Sequence, residues 1–473
     1  MESQNETIDS AKPRPMIGLL KCLGWGVLIL AILVVISLVW HRGKMASKLK
    51  ETLAELDRTE PGWRLEDIEV AREDVPEEEN SARVIAAAAK SLPRTWPPPD
   101  FPAEPFQLVS PNKKLNNEDS VHLSSELSKM RPALDAAIKL ADMPRGRHPL
   151  PLERNPIDRP MPHLDQVRRI STLFVFEAML RNQKGETKNA LAACRAALNA
   201  GRSIGDEPFY ISQLIRSFDV VNACLAIERT LGQTEPAPED LSALQTLLEN
   251  EDAFPSLLVA ARGERAMFHQ VFEAVERGEV SYDELALTRR GGASPDWLQS
   301  AAIKLGRMYT LEDHVLFLSL TTRRVHEAEL PMHEQAELEK RFQHDIHGLP
   351  RSALITRALL PSFSKMGDIF RRKHAALRST LAALAVERHR RKTKEWPDSL
   401  TQICPKYLAS VPLDPFDGNP LRYRRVEDGV VIYSLGRDAI DNGGNLNRGE
   451  ETTSSVDIGV RLWDVPKRRQ PPQ

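Results

Sequence analysis

The stretch CLGWGVLILAILVVISLVW, residues 22–40, carries no charged side chain and decides how the rest of the chain is read. At about 1.5 Å of rise per residue, a helix of this length nearly spans a hydrocarbon core of about 30 Å. A helix satisfies its own backbone polar groups inside lipid, and the leucine, isoleucine and valine surface lowers the cost of transfer. Trp25 and Trp40 suit the two interfaces, and Lys21 can snorkel outward. A cleaved signal peptide would have an apolar region of about 7–15 residues followed by a small-x-small site. Here the run is longer and ends Val39-Trp40-His41-Arg42, so a retained transmembrane helix over residues 17–40 is expected, behind a polar tail at 1–16.

Outward from that span, the remaining chain has a globular balance. Of 473 residues, 41% are hydrophobic and 27% charged, and 64 Lys+Arg against 66 Asp+Glu leave a formal net charge of −2. That balance excludes a fibrous or wholly disordered chain and gives no global field to draw in nucleic acid. The four cysteines, Cys22, Cys194, Cys224 and Cys404, are too scattered for a disulfide framework or a clustered zinc site. Two proline-rich stretches, Pro93 to Pro111 and Pro144 to Pro162, cannot form continuous helices or central strands. Residues 41–111 therefore read as a juxtamembrane segment and proline-rich linker.

A helical domain is expected over 112–360. Leu164, Val167, Ile170 and Phe174 recur at helical spacing, as do Ile211, Leu214, Ile215, Phe218, Val221 and Leu225, and again Leu241, Leu244, Leu247 and Leu248. Each set forms one apolar face to be packed on neighbours. The short connection Asn182-Gln183-Lys184-Gly185 predicts an antiparallel helical hairpin, so the domain is a helical-hairpin bundle or a short α-solenoid. Gly185 and Ala197 stand twelve apart, as in a tetratricopeptide repeat, but no second copy follows at a period near 34 residues.

No GxxxxGK[ST], GxSxG or HExxH signature is present. His344 and His347 share a helix face but immediately precede Gly348 and Pro350, which marks a helix C-terminus where histidines complement the dipole. The basic run from Arg371 to Lys394 is interrupted by Leu377, Leu381 and Leu384, the pattern of a packed helix with solvated ends. It lacks the aromatic interleaving of a single-strand binder, and no nucleic-acid partner is expected.

The last hundred residues are more specific. A long helix should end before Trp396-Pro397, because proline restricts the residue before it. Pro412 to Pro420 is a chain of tight turns. Leu421 to Arg425 and Val430 to Tyr433 then flank Asp428-Gly429, a hairpin signal, so a small antiparallel sheet should pack on the helix. The fold class is thus mainly α, with one transmembrane helix, a helical domain and a small α+β module at 361–465, followed by a tail at 466–473.

That order of elements resembles the C-terminal half of the major pseudopilin of bacterial type II secretion systems. The resemblance rests on the helix ending before Trp-Pro, on Pro405-Lys406-Tyr407-Leu408, Asp414-Pro415, Gly418-Asn419-Pro420 and Tyr423, and on Tyr433-Ser434-Leu435-Gly436 followed by Asp438; it covers about residues 370–445. The amino terminus departs from the family. Gly18, Gly24 and Gly26 are followed at the fifth position by Leu23, Ile29 and Ala31, where the family has Glu after a peptidase-cut Gly. The overall layout is also similar to that of membrane-anchored bacterial proteins, a likeness that implies no function.

The resemblance implies calcium in the loop after Ser-Leu-Gly, with Asp438, Asp441 and Asn442 as ligands and the Leu435 carbonyl and Asp457 as additions. It also implies export. Counting Lys12, Arg14 and Lys21 before the span against Arg42, Lys44, Lys48 and Lys50 after it leans toward a cytoplasmic body, but large domains translocate despite such charges. The expectation is a single-pass inner-membrane protein with an extracytoplasmic body. Two functions remain: a non-catalytic structural or protein-interaction protein whose partners are the bilayer and envelope or secretion proteins, or a hydrolase-like enzyme whose site forms between helices. An enzyme requires a concave pocket with two or more perturbed titratable groups. A binding protein requires an open apolar or charged groove.

Overall fold

The computed structural model describes residues 15–98, 109–150, 159–281, 285, 309–363, 366–446 and 456–472. The polar tail through residue 14, parts of both proline-rich stretches and residues 447–455 lie outside the described residues. The chain is mainly helical, with one three-stranded antiparallel sheet near its C-terminus.

Helix α1 runs Pro15–Thr59 as one continuous element. Its part from Gly24 has a mean hydropathy of 2.3 over its most apolar window, with none of that window buried, and is long and apolar enough to cross a membrane. The helix does not stop at the end of the apolar run. Residues 41–59, expected to belong to a linker, continue as helix and enter the body, where Leu49 and Leu56 are buried. The reason lies in the sequence from Met45 to Leu56, where Met45, Leu49, Thr52, Leu53 and Leu56 recur on one face while Lys48, Lys50, Glu51 and Glu55 stay exposed.

After α2 (Leu65–Val70), α3 (Ser81–Ala89), α4 (Asn117–Lys129) and α5 (Arg131–Ala137), the expected hairpin forms from α6 (Pro162–Lys184) and α7 (Thr187–Arg202). Gly185, at φ 77°, takes the left-handed position between them, and the Glu186 amide reaches back to the Arg181 carbonyl at 2.9 Å. Pro162 opens α6 at its first turn, where its missing N–H costs nothing. Helices α8 (Tyr210–Gln233), α9 (Pro238–Asp252), α10 (Ser256–Arg277), α11 (Thr310–Ala328), α12 (Met332–His347), α13 (Leu354–Phe363) and α14 (Met366–Thr393) complete the helical part.

Helix α14 is the centre of the molecule: it packs on α8 and α9 and carries the sheet β1 (Arg422–Val426), β2 (Gly429–Ser434) and β3 (Ile458–Trp463), in order β1-β2-β3. The hairpin pairs Val426 with Gly429, so Glu427 and Asp428 form its two-residue loop. Val430, Ile432, Val460 and Leu462 face α14 and join one buried cluster that includes α6 to α9 and reaches Val84. This cluster crosses the boundary drawn at 360/361, so the helical part and the C-terminal module share a core. A second cluster joins the lower part of α1, Trp63, α10, α11, α12, α13 and Phe370.

Residues 466–472 also differ from a free tail. The Arg468 guanidinium bonds Glu387 at 2.9 and 3.0 Å with both side chains buried, Arg469 donates to the Gln183 carbonyl at 2.8 Å, and Gln470 donates through its amide to the Asn112 carbonyl at 2.7 Å. Residues 466–472 are therefore part of the fold.

Candidate functional site

The loop after β2 is built on Asp414, one of the motif residues. Its buried carboxylate accepts from the Ser434 hydroxyl at 2.7 Å, the Leu435 and Phe416 amides at 2.9 Å and Arg422 at 2.6 Å, tying the turn before the sheet to the end of β2. Beyond it, Asp441 accepts from the Tyr433 hydroxyl at 2.9 Å and the Gly443 amide at 2.8 Å. Asp438 caps the Ile440 amide at 3.2 Å, and buried Asp457 accepts from the Gly444 amide at 2.8 Å and the Asn442 amide at 3.4 Å. Burial, and the neighbouring Asp441 and Asp438 charges, raise Asp457 above the usual carboxylate range. Asp438, Asp441, Asn442 and Asp457 thus come to one loop, as expected. Asp457 is engaged through both oxygens and Asp438 and Asp441 through one each, and among the described residues no group of three or more His, Cys, Asp or Glu side chains is arranged to hold a metal ion. Three oxygens, one each on Asp438, Asp441 and Asn442, have no described donor, about half of a calcium shell.

A denser group of ionisable side chains surrounds Trp63, where α1 meets α10 and α11. The indole is fully buried and donates to Asp57 at 2.9 Å. Arg265, fully buried on α10, bonds Glu60 at 2.7 and 2.9 Å and the Thr322 hydroxyl at 3.1 Å, with its guanidinium 5.5 Å from the indole centre. Burial works against ionised Glu60, but the Arg265 bonds outweigh it and hold the carboxyl below its ordinary value. One turn further along α10, His269 lies at 4.8 Å from the indole and bonds His314 between ring nitrogens at 2.9 Å, and His314 Nδ1 meets Glu276 at 2.8 Å.

One tautomer set satisfies this line: His314 Nδ1–H donates to Glu276 and His269 Nδ1–H donates to His314 Nε2. His269 Nε2 is then a bare acceptor, 3.5 Å from Glu273. Burial, then the neighbouring His314, push His269 down to about 3, so it stays neutral. A carboxylate–imidazole–imidazole line, with both rings buried and Glu276 reaching solvent, can orient a proton acceptor. Its rings, however, are enclosed by Trp63 and Phe272, with Phe272 stacked on His314 at 4.6 Å.

Beside this group, on the α1–α11 side, lies a groove of about 390 Å³ lined by Ala46, Leu49, Lys50, Leu53, Ala54, Asp57 and Leu311. It is open and mostly apolar. Asp57 is its single carboxylate, held below its usual range by the hydrogen bond from Arg64. At its upper edge His41, one residue past the apolar run, bonds Glu312 of α11 at 3.1 Å.

The basic run on α14 is not a solvated surface. Lys373 is fully buried and bonds Glu251 at 2.9 Å, and Glu251, also fully buried, accepts from Arg216 at 2.6 Å with Arg202 at 3.6 Å. Burial would raise Glu251, but the surrounding cations hold it far below the usual range. His374 and Arg378 share Asp252, Arg371 pairs with Glu339, and Arg390 with Glu387 and Glu235. This stretch was expected to have solvated ends; Lys392 and Lys394 are exposed at its C-terminal end, but most of the charges before them pair with internal acids, which an apolar stripe between them did not disclose. His344 and His347 do sit in the last turn of α12, with His347 Nδ1 against the Gln343 carbonyl at 2.6 Å.

Sequence reading missed the Trp63 group because its members come from separate helices; His269 and His314 are 45 positions apart. The only available signal was Trp63-Arg64 directly after a long amphipathic helix. Compared with family models, with curated proteins and with solved structures, the chain matches none.

Proposed function

We propose that this chain is a membrane-tethered, non-catalytic protein of the bacterial envelope that works by protein–protein contact, single-pass in the inner membrane with its body outside the cytoplasm. The observation that carries this reading is the open apolar groove on α1 and α11, which has one carboxylate and no pair of perturbed titratable groups on its walls. The continuous α1 helix supports it by placing that groove a few turns beyond the apolar run. Calcium, in this reading, is held by Asp438, Asp441 and Asn442, and stiffens the loop beside the sheet.

The second reading is a membrane-anchored hydrolase-like enzyme, favoured by the Glu276–His314–His269 line with its two buried imidazoles. The test is affinity capture of the detergent-solubilised chain from its own envelope, with and without calcium chelation, beside a Leu53→Glu variant that blocks the groove. Reproducible recovery of envelope or secretion proteins that is lost in Leu53→Glu supports the interaction reading. A clean monomer in every arm counts against it, and protease access on intact spheroplasts decides the orientation.

A further inference from the structure

Helix α8 is amphipathic in the wrong sense. Between Ile211 and Leu225 its polar and charged side chains Ser212, Gln213, Arg216, Ser217 and Asp219 are buried, while Ile211, Phe218 and Leu225 are 41, 52 and 43% exposed. Leu214, Ile215, Val221 and Asn222 are partly exposed, and every other residue of the segment is buried. The apolar face read as a packing face therefore points outward. Ile211, Leu214, Phe218, Val221 and Leu225 follow spacings of 3, 4, 3 and 4, the seam of a coiled coil, which fits a second helix by knobs-into-holes packing. The seam ends at Glu228, which turns inward to accept the Arg461 amide at 2.9 Å.

We infer that this stripe pairs with the same stripe of a second copy of the chain, forming a two-fold dimer in the membrane. Its position excludes the bilayer as the cover. The Tyr210 amide, at the start of α8, bonds Glu264 at 2.9 Å; the next residue of α10, Arg265, bonds Glu60, which lies 20 residues beyond Trp40. At 1.5 Å per residue that is about 30 Å past the apolar run. A membrane-anchored rigid helix holds the stripe at the same height in every copy, so two copies meet stripe to stripe without adjustment; this step rests on the anchoring proposed above. No residue on the outward face is charged, so self-pairing brings no like charges together and offers nothing to a charged partner. The exposed apolar area is of the order of a few hundred Å² per copy, below what a free dimer of standard size buries, and confinement in one membrane supplies the missing effective concentration.

Phe218 is the midpoint of the stripe, so any two-fold axis that pairs the stripe with itself, parallel or antiparallel, brings residue 218 against its own counterpart. The experiment uses the full chain in native membranes with Cys22 and Cys404 changed to serine, carrying Phe218→Cys or, as an exposed control on α4, Val121→Cys. Mild oxidation should convert most of the Phe218→Cys chain to a covalent dimer, at least tenfold more than the control. Adding Ile211→Gln and Leu225→Gln, which retain helix propensity, should cut that yield at least fivefold. A 218–218 yield no higher than the control, or cross-linking of residue 218 only to a different protein, overturns the proposal. Carbonate extraction of the same membranes reports anchoring separately: a chain that stays in the pellet but does not cross-link fails the dimer alone.

Discussion

Asp219 gives the sharpest measurable consequence of the packing. It sits in α8, fully enclosed against Gly201 of α7, and neither carboxylate oxygen has a hydrogen-bond partner. Burial pushes it up to about 7 from 3.8, with only minor relief from Ser171 and Arg168. Between these two values the native state holds a proton that the unfolded chain has released. Stability therefore falls as pH rises from about 4 to about 7 and levels off above that. A separation of about 3 pKa units corresponds to a ceiling of about 4 kcal/mol at pH 8. Asp219→Asn keeps the shape and removes the charge. The expected result is near-equal stability of wild type and variant at about pH 3.5, with the variant ahead by about 2–4 kcal/mol at pH 8. Denaturant midpoints of the full chain in detergent, followed by tryptophan fluorescence at several pH values, read this difference. Glu264 and Asp313, raised by burial to about 7 and about 6, titrate with the same sign in both proteins and cancel from the comparison. Two parallel curves, separated by a constant amount across that range, would refute the reasoning.

Glu251→Gln leaves Lys373, Arg216 and Arg202 together without their anion and should cost about 3–5 kcal/mol, seen as a lower denaturant midpoint. Arg468→Met uncouples residues 466–472 from Glu387; the expected readout is faster amide hydrogen exchange across that segment than in wild type. Gly263→Ala should prevent folding, because a Cβ there would stand 1.6 Å from the Pro208 carbonyl oxygen, and backbone cannot yield as a flexible side chain does. If calcium is held as proposed, Asp441→Asn should weaken calcium binding at least tenfold by titration calorimetry while leaving the unfolding midpoint in chelator within about 1 kcal/mol of wild type.

Much of the architecture was legible because it depends on local pattern. Leu164, Val167, Ile170 and Phe174 are all buried on α6, and the glycine after Lys184 ends that helix where its left-handed conformation is needed. The Asp428-Gly429 signal gave the hairpin, with the loop one residue earlier, at Glu427-Asp428, and Gly429 already in β2. The third strand escaped notice although Ile458, Val460 and Leu462 alternate, because it returns to the sheet only after a long connection. On α8 periodicity correctly gave a helix and an apolar face, but spacing does not say how that face meets the core; Ile215 at its edge packs on the core, while Ile211, Phe218 and Leu225 are exposed and Arg216 and Asp219 on the opposite side are buried. The candidate calcium residues were found by motif and do share one loop. The histidine line and the buried Glu251 group were invisible, since their charges are brought together by helix packing between residues far apart in the chain.

Because α1 passes from its apolar half into the body as one helix, and is braced by His41 on Glu312, no break separates the two halves. If the apolar half spans a bilayer, as proposed above, tilt acquired there is passed on to the body. Over the roughly 28 Å from His41 to Thr59, a lean of about 20° sweeps the base of Trp63 sideways by about 10 Å. On that proposal the body is the far arm of a stiff lever, displaced sideways whenever the anchored arm leans.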